Sequence, residues 1–395
     1  MPLRIGYYMP TPAGMGGKER HLLALIDHFR AGYHISVFCD PADAGNLFHA
    51  ELNARGLRAE IIDGRVIEKK GTLLPSAKNL PLILRARGVL AAARLDVIHF
   101  HGGRLGFMYG PIVASWLAGI PRRILTAHSL VEERSPVQRW IEGRLLRRVD
   151  TIVAISDAVK EDLVSKKAAM RENVIVIPNG IDAAEFQISA EARSEARAAL
   201  GVPDESPVVG MVGRLDQAKG ADILIRAAAV IRRQVPQLRV VLIGAGPAEN
   251  EIKRLAREHT VSDIVHFAGY RRDARQLMHA LDLLVLASRH EGQSLSMLEA
   301  MACGKAVVAA NVGGIPGVLL DGVTGLLFPS EDVAALADSV VKLLAGPVKR
   351  EAMGRAGRRR VETDFSQAEM LERTAALYSA CRETSRLTPK PGEPS

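Results

Sequence analysis

Short apolar runs recur along this chain, separated by longer stretches in which apolar residues return every three to four positions. The short runs predict strands and the longer spacing predicts helices. In the first half the predicted strands are 3–9, 35–39, 59–62, 97–101, 124–128, 152–155 and 174–178. A polar stretch rich in Glu, Ala and Arg follows (182–200), and then the pattern begins again. The second set of strands is 208–213, 240–244, 265–267, 283–287, 306–309 and 325–328. Strands that are apolar almost throughout are buried on both faces, as in parallel sheets built from strand–helix–strand units. The expected fold class is therefore α/β, with two doubly wound, Rossmann-like domains in series. The expected division is residues 1–182, residues 183–365, and a last segment, 366–395, holding a helix (366–382) and a proline-bearing tail (388–395) expected to be disordered.

Composition changes this picture little. At 395 residues, 48% hydrophobic and 24% charged, the chain has the make-up of an ordinary globular protein. No secretory leader is expected, because residues 1–10 carry one basic residue and a short, strand-like apolar run. No stretch is apolar for the length a spanning helix requires. Cys39, Cys303 and Cys381 are widely spaced and suit buried thiols in a reducing compartment, and a cytoplasmic location is expected. The net charge of +8 is uneven: residues 1–182 hold 25 Lys and Arg against 18 Asp and Glu. The excess is sharpest over residues 65–87, where six basic residues and one acid are interleaved with leucines. Such a segment suits an anionic membrane surface, or is a solvated loop with one amphipathic helix. Aromatic residues make up only 4%, with no basic stripe between them, so nucleic acid is not an expected partner.

Each half carries a glycine-rich turn after an early strand. Gly14-Met15-Gly16-Gly17-Lys18-Glu19 and Gly244-Ala245-Gly246-Pro247-Ala248-Glu249 both begin like the dinucleotide fingerprint and both end in Glu where it needs a small residue. An NAD(P)-dependent oxidoreductase, with Asp40 as the ribose acid, is thereby disfavoured. His99 and His101 alternate on one strand and so face the same way. No third ligand at a suitable spacing accompanies them, so no metal site is expected.

The second half supplies the richest chemistry. Gly213-Arg214-Leu215 is followed by Lys219-Gly220, Gly244-Ala245-Gly246, Glu291-Gly292, Glu299-Ala300-Met301-Ala302-Cys303-Gly304, Gly313-Gly314 and Asp321-Gly322. A departing nucleoside diphosphate develops negative charge, which fixed cations must meet. Arg214 and Lys219 lie between a strand and a helical pattern beginning at Ala221, where a helix N-terminus adds to their field. Glycines at 213 and 220 let backbone come close to a ligand. Glu291 and Glu299 are eight positions apart, about 12 Å of rise along one helix. Gly292 places Glu291 ahead of the helix and Glu299 in its first turns, where a capping box from Ser296 to Glu299 is also expected.

This ordered series resembles glycosyltransferase family 4, whose members adopt the two-Rossmann GT-B architecture. The first half agrees in Gly16-Gly17, Asp96-Val97-Ile98-His99-Phe100-His101, Thr126-Ala127-His128 and Pro178-Asn179-Gly180-Ile181-Asp182. The resemblance implies a hexosyl- or N-acetylhexosaminyltransferase that uses a nucleotide-diphosphate sugar without a metal and retains the anomeric configuration. It implies a glycan or lipid-linked acceptor, as in the synthesis of cell-surface polysaccharide, lipopolysaccharide or glycolipid. Arg214, Lys219, Glu291 and His128 are the implied catalytic residues. Glu291 is assigned to the donor sugar's hydroxyls and Glu299 to the ribose. The implied donor set adds Gly16, Gly17, Gly213, Gly244, Gly292, Ser294 and Leu295, and the acceptor side takes Gly17, His101 and His128. The sequence holds no Asp-x-Asp, the motif expected of metal-dependent transferases. It departs from the family at Gly317, where a Glu is usual, and over 293–296, where apolar residues are usual, so donor identity does not carry over. The last helix is expected to return to the first domain. A sugar-nucleotide epimerase or hydrolase on the same fold remains the alternative. The helical pattern 137–149 is expected to pack Trp140, Ile141, Leu145 and Val149 into the core, with membrane association as the secondary reading.

Overall fold

A computed structural model describes residues 2–10, 15–41, 46–62, 80–102, 108–130, 136–166, 169–186 and 189–387. The segment 65–79 of the basic stretch and the tail 388–395 lie outside the described residues. The strands of the first sheet are β1 (Arg4–Met9), β2 (His34–Cys39), β3 (Ala59–Ile61), β4 (Val97–Gly102), β5 (Arg122–Ala127), β6 (Thr151–Ala154) and β7 (Val174–Val176). Those of the second are β8 (Val208–Val212), β9 (Arg239–Ile243), β10 (Val265–Gly269), β11 (Leu283–Leu286), β12 (Ala306–Ala310) and β13 (Gly325–Phe328). All thirteen coincide with predicted runs, to within three residues at either end.

The chain divides into two units: residues 1–178 with 370–395, and residues 179–369. The first boundary lies four residues ahead of the expected 182/183. The last helix, Gln367–Leu387, straddles the second boundary.

In the first unit the strand order is β3-β2-β1-β4-β5-β6-β7, every pair parallel. Alternation along β1 explains why both faces are apolar: Tyr8 joins one core layer with Phe38, Phe100 and Leu125, while Ile5, Tyr7 and Met9 join the other with Val37 and Ile124. Met370, Leu371, Tyr378 and Cys381 of the last helix belong to that second layer. In the second unit the order is β10-β9-β8-β11-β12-β13, again parallel throughout. Met211 and Val212, adjacent on β8, feed opposite layers.

Each sheet thus reverses its strand order once, between β1 and β4 and between β8 and β11. Open parallel sheets bind ligands at such a switch point, beyond the carboxyl ends of the strands. Gly16 and Gly17 follow β1, His101 lies at the end of β4, Gly213, Arg214 and Lys219 follow β8, and Glu291 follows β11. The three cysteines are buried and form no disulfide, and burial pushes the Cys39 and Cys303 thiols up to about 12. Among the described residues no helix is long and apolar enough to cross a membrane.

Trp140 departs from expectation. The helix Pro136–Leu146 ends ten residues after it begins, and Trp140 is 61% exposed with the Arg144 guanidinium 4.7 Å from its ring. Leu146 and Val149 are the buried apolar positions, and Glu142 is buried beside them in sequence. Leu80 and Leu84 of the basic stretch are also exposed, on the helix Leu80–Ala92 that carries Arg85 and Arg87.

Candidate active site

The second unit gathers the predicted donor residues at its switch point. After β8 the chain turns through Gly213 and Arg214, makes a short 3-10 turn (Gln217–Lys219) and enters the helix Ala221–Ile231. Asp216 caps that turn, its carboxylate accepting from the Lys219 N–H at 3.2 Å. After β11 the chain passes Ser288 and Glu291 before the helix Leu295–Ala302. Lys219 Nζ donates to Glu291 Oε2 at 2.6 Å, joining the two loops directly across the switch point. The backbone oxygen of Glu291 accepts from Gly314 N–H at 3.0 Å, which anchors the residue to the loop after β12.

The two predicted phosphate cations do not stand bare. Arg214 is 61% exposed and donates from Nε to Asp216 Oδ2 at 2.7 Å, while Lys219 is engaged by Glu291. Each cation has a carboxylate of its own, so an anionic ligand must displace or share those partners.

Glycine has a different task here from the one its pattern suggests. At Gly244, with φ +144°, a Cβ would sit 1.9 Å from the Gly213 carbonyl oxygen. Gly220, at φ +68°, would clash equally with the carbonyl of Ala287. These positions let neighbouring loops touch backbone to backbone and so set the height of Arg214 and Lys219; the approach they permit is of chain to chain.

Glu299 lies in the helix Leu295–Ala302, 1% exposed, with Arg275 donating from Nε to its Oε1 at 2.9 Å. Arg275 also donates to Glu185 Oε2 at 2.6 Å. The expected capping box from Ser296 is corrected: the cap is Ser294, whose Oγ accepts from the Met297 N–H at 3.4 Å. Ser294 caps the helix without a Glu three residues on, and Ser296, which has one, instead hydrogen-bonds Ser294 at 3.0 Å. Gln293 is buried and accepts from the Asn179 N–H at 2.6 Å, and Leu295 packs against the core. Gly317 lies in the four-residue helix Ile315–Val318, where nothing would meet an added Cβ within 4 Å. Asp216, Arg275, Glu185 and Ser288 are site residues that sequence reasoning missed; Arg275 and Glu185 pair across distant segments and leave no mark in local spacing, whereas Asp216 and Ser288 lie two and three positions from the residues they bond.

In the first unit, Gly16 is the N-cap of the helix Gly17–Phe29. Its N–H donates to Glu19 Oε2 at 2.9 Å, and both glycines are exposed. His99 and His101 face the same side of β4, their rings 4.2 Å apart, yet their surroundings differ. His99 bonds Tyr378 Oη and Thr126 Oγ1, each at 2.7 Å, and burial drives it down to about 3. It is a core histidine. His101 Nδ1 instead faces His128 Nε2 at 3.3 Å, and the His21 ring packs against both, tilted to His101 and edge-on to His128. Burial, with the neighbouring histidines and Lys18 adding repulsion, holds His101 and His128 well below the usual histidine range, so both are neutral at pH 7. Asp40 is buried at the end of β2 and accepts from Tyr8 Oη at 2.7 Å.

Known proteins share these sheets. The chain has a TM-score of 0.83 to the crystal structure of Anabaena HepE in complex with UDP and glucose, at 24% identity, covering 96% of this chain and 100% of that one. The architecture is GT-B, two Rossmann-like α/β units. Residues 15–185 match the family described as Glycosyltransferase Family 4, and residues 192–360 match Glycosyl transferases group 1. The chain is 30% identical over 395 residues to the alpha-maltose-1-phosphate synthase of Mycolicibacterium smegmatis, covering 93% of this chain and 96% of the relative. To the D-inositol 3-phosphate glycosyltransferase of Actinosynnema mirum it is 33% identical over 335 residues, 77% of each chain. The chain belongs to glycosyltransferase family 4 and is a glycosyltransferase.

Proposed function

We propose that the protein transfers a hexosyl group, with retention, from a nucleoside-diphosphate sugar to a hydroxyl of a phosphate-bearing acceptor, either a small sugar phosphate or a lipid-linked glycan. The observation that carries this reading is the Lys219–Glu291 pair at the β8/β11 switch point. It puts a cation for the leaving phosphate and an acid for sugar hydroxyls within one hydrogen bond of each other. Arg214 adds a second cation on the same loop, and Glu299 is the acid assigned to the ribose. On this reading the acceptor oxygen forms its bond to the anomeric carbon as the bond from that carbon to the diphosphate oxygen breaks. The acceptor's proton passes to that same leaving oxygen, so no protein carboxylate need act as nucleophile. Arg214 and Lys219 meet the growing charge, the part a divalent ion plays in other transferases. The acceptor is assigned to the first unit, with Gly17 and His128 on its side. Two relatives named for maltose 1-phosphate and inositol 3-phosphate, and the basic balance of residues 1–182, support an anionic acceptor. Exposed Leu80, Leu84 and Trp140 among arginines support contact with an anionic bilayer if the acceptor is lipid-linked.

The test incubates UDP-glucose, UDP-N-acetylglucosamine, ADP-glucose and GDP-mannose with glucose 1-phosphate, inositol 3-phosphate or lipid-linked glycans, with and without EDTA. The expected result is acceptor-dependent release of nucleoside diphosphate that survives EDTA, with the donor's anomeric configuration kept in the NMR spectrum of the product. An inverted linkage, or donor hydrolysis at one rate with and without every acceptor, overturns the proposal.

A further inference from the structure

Three histidines that the sequence keeps far apart meet at the switch point of the first unit. His21 comes from the helix that follows β1, His101 from the end of β4 and His128 from the residue after β5. One ring nitrogen from each lies within 4.8 Å of the others. His101 is 0% exposed, His21 is 7% exposed and His128 is half-buried. The strand ends and the helix hold the three rings from different directions, so the cluster is positioned by rigid elements on every side.

The spacing between His101 Nδ1 and His128 Nε2, 3.3 Å, is long for a hydrogen bond between them. It does match another geometry. Zinc–nitrogen bonds of 2.0–2.1 Å in a tetrahedron place neighbouring nitrogens about 3.3–3.4 Å apart. The other separations, up to 4.8 Å, close on a central ion with ring movements on the order of an ångström. Lys18, whose charge bears on His101 and His128, lies 3.5 Å from Glu19, which offsets its repulsion of a metal ion.

We propose that His21, His101 and His128 form a three-nitrogen site for a divalent transition ion of borderline softness, zinc in the first instance, with its fourth position open. Imidazole suits such ions, and three protein ligands with one vacancy make a site that exchanges its ion. The ion itself takes no part in the proposed transfer, whose developing charge Arg214 and Lys219 meet from the second unit. Metal occupancy instead takes His128 out of use, so zinc inhibits transfer. The inhibition rests on the proposed function; the binding does not.

The test uses the full-length chain without a polyhistidine tag, stripped with chelator. Zinc is titrated against a chromophoric competitor, and Co2+ is added separately to read the visible bands of a low-symmetry cobalt site. The wild type is expected to bind one ion per chain and to develop those bands. Loss of a bound ligand should weaken zinc at least about 100-fold in His21→Gln and in His128→Gln, since even outer-shell changes cost 10–100-fold. His49→Gln, on the helix Leu47–Ala54, should bind zinc as the wild type does. Circular dichroism confirms that each variant is folded, and the cobalt spectrum of the wild type needs no variant. Absence of stoichiometric binding and of cobalt bands, or equal affinity in wild type, His21→Gln and His128→Gln, overturns the proposal. Zinc binding to a chain that transfers no sugar would leave the metal site standing and remove only the inhibition.

Discussion

Replacing Lys219 by methionine separates the fold from the donor site at a single atom. Its ammonium lies 2.6 Å from Glu291 Oε2, with side-chain exposures of 29% and 9%. A partly solvated pair of this kind contributes about 0–1 kcal/mol to stability, so the ligand-free melting temperature should hardly move. Ligand binding should change far more. A hydrogen bond from a charged donor to phosphate contributes about 1.5–3 kcal/mol, or about 12–160-fold in Kd. A nucleoside diphosphate at 100 times its wild-type Kd stabilises the protein by about 2.7 kcal/mol, and in Lys219→Met the same concentration should give only about 0.3–1.3 kcal/mol. At about 2–4 °C per kcal/mol for a unit of 150–250 residues, the ligand-induced rise falls from about 5–11 °C to about 1–5 °C. Glu291→Gln provides the opposite sign. It releases Lys219 from its carboxylate without removing the cation, so its rise with diphosphate should be at least that of the wild type, while its rise with the intact nucleotide sugar should be smaller. The assay is differential scanning calorimetry of the three proteins with UDP, GDP and ADP, compared on the diphosphate that most stabilises the wild type. An undiminished rise in Lys219→Met refutes the reasoning, as does an equal loss in both variants.

Arg197 is fully buried and donates to the carbonyls of Ala280, Pro203 and Ser206 and to Asp282 Oδ2 at 2.9–3.2 Å. Arg197→Met strands those acceptors and should cost about 3–5 kcal/mol in urea unfolding; a loss below about 1 kcal/mol would show the network to be dispensable. Burial, reinforced by Arg193, pushes the Lys305 ammonium down to about 8 from 10.5. Between those pH values the unfolded chain holds a proton that the folded chain does not. The stability of the wild type relative to Lys305→Met should therefore rise with pH across this window, by at most about 3 kcal/mol, and a constant difference from about pH 7.5 to 10.5 would contradict it. Gly244→Ala forces a Cβ onto the Gly213 carbonyl and should both lower the melting temperature and weaken the diphosphate-induced rise, because the loop bearing Arg214 must move. Gly317→Glu meets open space, and its melting temperature should stay within a few degrees of the wild type.

Strands were the most legible part of this chain. A strand buried on both faces must be apolar at nearly every position, so Val97–Gly102 or Leu283–Leu286 is visible without any partner. Strand order was not visible, because nothing in β8 or β11 records that they are neighbours. The cap of the helix Leu295–Ala302 was misplaced by two residues for a local reason, since Ser294 and Ser296 offer the same hydroxyl at competing positions. Trp140 was misassigned because its helix is too short for a full apolar stripe and because Arg144 covers the ring at the surface. His21 was invisible as a partner of His101: eighty positions separate them, and only the β1-to-β4 reversal brings the helix after β1 beside the end of β4.

The two switch points hold opposite electrostatic solutions. In the first unit, His101 and His128 are kept neutral by burial, so the pocket presents lone pairs and rings with no fixed charge among them. In the second unit, Arg214 and Lys219 each face a carboxylate, that of Asp216 or Glu291. A resting pair of this kind has a consequence for the proposed reaction. When a diphosphate takes over Lys219, the carboxylate that Lys219 held is released beside the incoming sugar and must find hydroxyl donors there. A free diphosphate offers none, whereas the nucleotide sugar does. The pair therefore favours the intact donor over the product left after transfer, and Glu291→Gln, which has no charge to strand, should narrow the difference in affinity between the two.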